Sequence, residues 1–167
     1  IVGSTLIATA DGRNAVSIEQ LVAEGKDVPV YSTNLNTGVT EIKYGRNPRK
    51  TGNKVEVWKL TLDDGSSLIA TPNHKILTKD LKYVELKDLD KGASIYPFYS
   101  FDSNGYRQVS NTGAKMKGGA IRNRRQYRLI YEFNNPEINV DAKKYAIHHK
   151  DFNSRNDNIS NLQLISH

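Results

Sequence analysis

Residues Val55 to Leu62 alternate with a period of two: Val55, Val57, Lys59 and Thr61 fall on one side, Glu56, Trp58, Leu60 and Leu62 on the other. Asp63-Asp64-Gly65 follows at once, and glycine supplies the positive φ that a tight hairpin demands. Ser66–Thr71 is therefore predicted to return as the partner strand. Val28–Thr33 and Val39–Tyr44, joined through Gly38, read as a second pair. Before them, Ser17 and Gln20 have the spacing of a capping box, and Gly25 suits the position just past a helix end. This half of the chain is predicted to be β structure with one short helix, and Trp58 to be a core or half-core aromatic. Many sandwiches and barrels would satisfy such a pattern.

The 167 residues suffice for one domain or two small ones. No apolar run approaches the roughly 18–20 residues of a membrane span, and Ile1-Val2-Gly3-Ser4-Thr5 lacks the features of a signal peptide. The absence of cysteine excludes disulfides, thiolate metal sites and a cysteine nucleophile within these residues. A net charge of +6 suggests a polyanionic partner. That charge is uneven. Residues 1–97 carry 13 Lys/Arg against 12 Asp/Glu, a net of +1, whereas residues 98–167 carry 11 against 6, a net of +5. Character changes there too, from short β runs to a Gly-, Asn- and Arg-rich stretch and one helical pattern. The expected organisation is a β domain over 1–97, a basic linker or arm over 98–122 (Ser103–Gly119 its mobile part), and a second element over 123–167.

Two segments of the first half carry chemistry. In Gly65–Leu77 a strand ends at Thr71, Pro72 forces a turn, and His74 returns three residues later, which would bring a hydroxyl and an imidazole together as acyl transfer requires. A plain Thr/Pro/Asn turn with a surface histidine is the alternative. With the opening run Val2–Gly12 and the stretch Val84–Gly92, this Thr-x-x-His block resembles the N-terminal half of an intein, the self-splicing Hint fold.

The resemblance implies a mainly β, horseshoe-like Hint domain over 1–97 that performs protein splicing. In it His74 would protonate the departing amide nitrogen and Thr71 would hydrogen-bond to the scissile peptide. Alignment of Thr5 and Ile7 on the opening block puts the nucleophile one residue before Ile1, and with no cysteine elsewhere that residue is expected to be Ser, giving an oxyester. The partners implied are flanking exteins and a C-terminal intein part, in a split or truncated arrangement, and no splicing cofactor. The setting implied is the cytoplasm of a bacterial or phage-infected cell, with a cysteine-less phage DNA polymerase intein as the nearest kind.

In the second half, Tyr127, Ile130, Tyr131 and Phe133 make a helical stripe, with Arg124, Arg125 and Arg128 largely off it, Asn123 as cap and Asn134-Asn135-Pro136 as stop. With Lys115, Lys117 and Arg122 these arginines could neutralise phosphates of double-stranded DNA, or simply form a solvated face. Beyond them a strand ends in His148-His149, a polar loop of about ten residues intervenes, and Asn161-Leu162 opens another strand. Adjacent strand residues face opposite ways, so the two histidines cannot share one role.

Residues from about Tyr127 to the end resemble the HNH, or ββα-metal, nuclease finger. The resemblance implies a small α+β element, cut short before the finger helix that Ser166 would cap. His149 would be the general base, Asn161 the residue that holds the loop, and His148 a ligand for Mg²⁺ or another divalent metal, with His167 as a substitute ligand. With so few ligands this region is expected not to cut DNA unaided. Three functions stay open: a splicing element bearing an HNH region, an HNH nicking endonuclease with a Hint-like accessory domain, and a degenerate, non-catalytic DNA-binding remnant.

Overall fold

The computed structural model describes residues 1–113 and 122–167. In chain order the elements are β1 (Leu6–Ala8), β2 (Ala15–Ser17), α1 (Ile18–Glu24), β3 (Val28–Thr33), β4 (Thr40–Gly45), β5 (Trp58–Thr61), β6 (Ser67–Ala70), β7 (Lys75–Leu77) and β8 (Tyr83–Glu85). There follow β9 (Ser100–Ser103), β10 (Tyr106–Val109), β11 (Arg124–Arg125), α2 (Gln126–Asn134), β12 (Tyr145–His149) and β13 (Leu162–Ser166). Most strands pair only with a sequence neighbour: β1 with β2, β3 with β4, β5 with β6, β7 with β8 and β12 with β13. The exception is a three-stranded sheet in the order β11-β10-β9.

Two compact units result, and neither is continuous in sequence. The first comprises Ile1–Ile7, Ala15–Asp27 and Gly45–Pro97, the second Ala8–Asn14, Val28–Tyr44 and Phe98–His167. Sequence patterning has no means of assigning residues 8–14 and 28–44 to the second unit.

In the first unit α1 starts and stops as its residues dictate. Ser17 Oγ accepts from the Gln20 N–H at 3.3 Å, and Gly25 adopts a left-handed φ of 62° while its N–H reaches the Leu21 carbonyl. The core here is small: Ala70, Ile76 and Leu86, with Leu60, Leu68, Leu89 and Ile95 against it. Regular strand covers Trp58–Thr61, a shorter stretch than the alternation predicts. Trp58 departs from its expected place. It is 43% exposed, its indole N–H donating to Glu56 Oε1 at 2.7 Å, while Leu60 takes the core position.

The second unit has the larger core, in which Ile42, Val109, Ile130, Tyr131, Val140 and Leu162 are all buried. The segment expected to be a linker is structured for most of its described length. Asn104 and Gly105, at φ 51° and 79°, make the two-residue turn of the β9–β10 hairpin, in which Ser103 pairs with Tyr106 and Ser100 with Val109. Beyond it Asn111 accepts from the Thr40 N–H at 2.9 Å, and Gly113 donates to the Gly38 carbonyl at 3.0 Å. A methyl group on Gly113 would lie 2.2 Å from the Thr37 carbonyl oxygen, so only glycine admits this approach.

The cap predicted for α2 is also corrected. Arg125, not Asn123, is the N-cap, and no side chain bonds the first turn. The C-terminus is better supplied, since Asn134 and Asn135 donate their side-chain amides back to the Ile130 and Tyr131 carbonyls. Ser166 ends β13 opposite Tyr145.

Val109 is 0% exposed within this core. Val109→Ala removes two buried methyl equivalents and is expected to lower unfolding stability by about 2 kcal/mol. A urea titration measures this, and a true linker position would show no change.

Candidate functional site

The first unit gathers the residues expected to act on a peptide bond. The Val2 N–H donates to the Ile69 carbonyl at 3.1 Å, and the Glu19 N–H to the Gly3 carbonyl at 2.9 Å, so the front of the chain is laid along the end of β6 and the start of α1. Where β6 ends, Pro72 turns the backbone and the His74 N–H closes onto the Thr71 carbonyl at 2.9 Å. The turn is braced from the segment after β8, because Leu86 N–H donates to the His74 carbonyl and Lys87 N–H to that of Pro72. Ile1, Val2, Thr71 and Asn73 line one groove of about 1020 Å³ together with Lys50 and Val55.

His74 is half-buried. Burial first, and then the positive α-amino group of Ile1, hold its imidazole below the ordinary value of 6.5. Thr71 and His74, three residues apart, share one turn, and Thr71 lines the same groove as Ile1 and Val2.

The second unit builds a different site from β12, β13 and the loop between them. The strands pair antiparallel, with His149 opposite Leu162, His148 opposite Gln163 and Tyr145 opposite Ser166. His149 and Asp157 are both buried, their side chains 7% and 2% exposed, and His149 Nε2 lies 2.9 Å from Asp157 Oδ1. The imidazole and the Tyr127 ring stand T-shaped with centres 5.1 Å apart, and the Tyr106 ring lies at 6.1 Å. Burial pushes the Asp157 carboxyl up, against the downward pull of His149 and the Arg107 charge. Sequence reading missed Asp157 as a site residue; its signal, a carboxylate eight residues beyond a histidine in an Asn-rich loop, is weak before the fold is known.

Asn161 ties the loop together. Its amide donates to Asp151 Oδ1 at 2.8 Å and to the Asn156 carbonyl at 2.9 Å, and its side-chain oxygen accepts from the Asp151 N–H at 3.1 Å. Asp151 also accepts from the Asn156 side chain and the Asn153 N–H, and these bonds, that of Asn156 foremost, hold its carboxyl below the usual range. The asparagines of the loop are thus used largely on the loop itself.

The two expected metal ligands do not meet. His148 lies edge-on to Phe152 at 5.2 Å, whereas the His167 N–H donates to the Lys144 carbonyl. Lys144 immediately precedes β12 and lies four residues from His148, roughly 13 Å at the rise of a strand. Among the described residues no three His, Cys, Asp or Glu form a metal-holding group.

The cationic helix face is also partly engaged. Arg124 and Arg128 both pair with Glu132, and Arg128 also donates to the Val140 carbonyl. Arg125 stacks over Tyr106 at 4.5 Å and donates to the Tyr127 hydroxyl at 3.0 Å, and Arg122 is exposed. Lys115 and Lys117 lie outside the described residues. No described helix is long and apolar enough to cross a membrane.

Two measurements follow from these geometries. Because the folded pKa of His74 is depressed, its contribution to stability is complete above about 6.5 and is lost as pH falls toward the lower folded value. His74→Gln should flatten that part of the stability–pH curve, and NMR titration should place the imidazole below 6.5. At the loop, Phe152 holds a left-handed φ of 59° with 86% of its surface exposed. Phe152→Gly is expected to raise stability by about 1 kcal/mol, read by urea unfolding, since glycine takes this conformation without strain.

No protein-family profile matches the chain. It is 35% identical over 178 aligned residues to the DNA gyrase B protein of Synechocystis sp., an alignment that spans 98% of this chain and 16% of that protein. The crystal structure of a DnaB intein from Synechocystis sp. PCC 6803 is 32% identical with a TM-score of 0.52, covering 57% of this chain and 65% of that one. A Ssp DnaB mini-intein variant, 23% identical with a TM-score of 0.50 over 74% of this chain and 70% of its own, shares the fold. The chain spans about one-sixth of its gyrase relative and just under two thirds of the DnaB intein. It is mainly β, with a Hint-like fold similar to that of the inteins.

Proposed function

We propose that this chain is the N-terminal part of a protein-splicing element, an intein, that also carries an HNH-like nuclease region. The observation that carries the splicing reading is the tie between His74 and the front of the chain. The charge of the Ile1 amino group acts on the imidazole, and the Val2–Ile69 hydrogen bond holds that end beside the Thr71–His74 turn.

In this reading a serine precedes Ile1. Its Oγ attacks the carbonyl carbon of the residue before it, an ester C–O bond forms, and the C–N bond breaks. The hydroxyl proton is lost to the surroundings, and His74 gives a proton to the departing nitrogen. Thr71 hydrogen-bonds to the same peptide. An amine is a poor leaving group, so a placed acid is what the step lacks in water, worth about 10²–10⁴-fold. In the joined chain the Ile1 ammonium becomes a neutral amide. One of the two causes that depress the His74 pKa then disappears, and the acid form becomes easier to populate. Exteins and a C-terminal intein part, whether fused or separate, complete the reaction.

The nuclease region rests on β12, β13 and the Asn161-tied loop. There His149 would take a proton from water as the oxygen attacks a DNA phosphorus, the P–O bond to the leaving sugar oxygen breaks, and that oxygen is protonated by solvent. Mg²⁺ or another divalent ion, with His148 as one of its ligands, would offset the negative charge that develops on the phosphate. Arg122 and Arg125, with Lys115 and Lys117, are the cations proposed to face the phosphates.

The test restores Ser before Ile1, adds a flanking peptide, and supplies the C-terminal part in trans. Mass spectrometry should find ligated flanks, and His74→Ala should slow release of the N-flank by about 10²-fold or more. Release at the original rate would remove His74 from the mechanism, and no ligated product with all parts present would overturn the splicing reading.

A further inference from the structure

We propose that Asp157 is the positioning residue for His149, the contact that fixes which imidazole nitrogen is the base. The inference rests on the nuclease reading above and adds to it a residue and an atom.

A carboxylate accepts hydrogen bonds and has none to give. At 2.9 Å from Asp157 Oδ1, His149 Nε2 therefore carries the ring proton. Neutral imidazole keeps one lone pair, which this contact leaves on Nδ1. A bond from N–H to an ionised acceptor is short and strong, and burial strengthens it further.

The surroundings allow neither partner to turn away. Tyr127 meets the imidazole edge-on at 5.1 Å, which sets the ring plane. Asp157 sits between two pinned neighbours. The Asn156 side chain donates to Asp151, and Asn158 accepts from the Ser160 N–H and hydroxyl. A methyl group on Gly12 would come within 3.0 Å of the Asn158 Cα, so that backbone is also packed from behind. The network around Asn161 thus delivers a carboxylate to one edge of the ring and leaves the other edge with its lone pair.

The test uses ring ¹⁵N and exchange spectroscopy on the 167-residue chain, then nicking kinetics on the full-length protein. In the wild type His149 should be the Nε2–H tautomer, with a ring proton protected from solvent exchange. Asp157→Leu, close in size and without an acceptor, should lose that protection. If Leu at this position prevents folding, Asp157→Asn serves instead, its weaker neutral acceptor giving faster exchange. An Nδ1–H tautomer in the wild type, or a proton equally protected in a folded variant, overturns the assignment.

On supercoiled plasmid with Mg²⁺ or Mn²⁺, Asp157→Leu should lower kcat by about 10²-fold with KM little changed, and Asp157→Asn should recover part of it. Wild-type kcat in either folded variant removes Asp157 from the mechanism and leaves the nuclease reading standing. No nicking by the wild-type protein sinks the nuclease reading itself, and with it the catalytic use of the pair.

Discussion

One backbone hydrogen bond, from the Val2 N–H to the Ile69 carbonyl, organises the first unit. It lays the front of the chain along β6 shortly before the Pro72 turn. The turn needs its own support, because three residues that include a proline make few hydrogen bonds of their own. The Leu86 and Lys87 N–H groups provide it, reaching back to the carbonyls of His74 and Pro72. This corner of the unit is held almost entirely by main-chain hydrogen bonds, the least adjustable part of a protein.

The second unit solves a different problem with side chains. A ten-residue polar loop has no core of its own, so Asp151, Asn156 and Asn161 satisfy one another and leave its conformation little freedom. The strain at Phe152 belongs to the same network, since the His149 carbonyl accepts from the Phe152 N–H and the chain turns sharply between them. In this unit His149 meets the carboxylate of Asp157.

What could be read from the sequence follows the range of each interaction. The caps of α1 involve Ser17, Gln20 and Gly25, all within nine residues, and were legible. The Asn104-Gly105 turn was equally local, yet the basic, glycine-rich stretch around it suggested a linker; a two-residue Asn-Gly turn between alternating residues was the stronger signal. The start of α2 has no capping side chain, so no residue type could mark it. Placing residues 8–14 and 28–44 in the second unit depends on contacts such as Thr40 with Asn111, seventy-one positions apart, which no local pattern encodes. The Thr71–His74 turn was readable because Pro72 fixes it, whereas Asp157 acquired meaning only when folding put it against His149.

Glu132 has a consequence for how this protein would meet a polyanion. One carboxylate holds both Arg124 and Arg128, so two of the cations counted along the helix are already engaged within the unit. A binding isotherm measured over a range of salt concentrations reports counterions displaced, about 0.9 per phosphate neutralised on duplex DNA. The formal charge of this half therefore overstates the slope such a measurement would return, and the shortfall counts the arginines that hold the scaffold in shape.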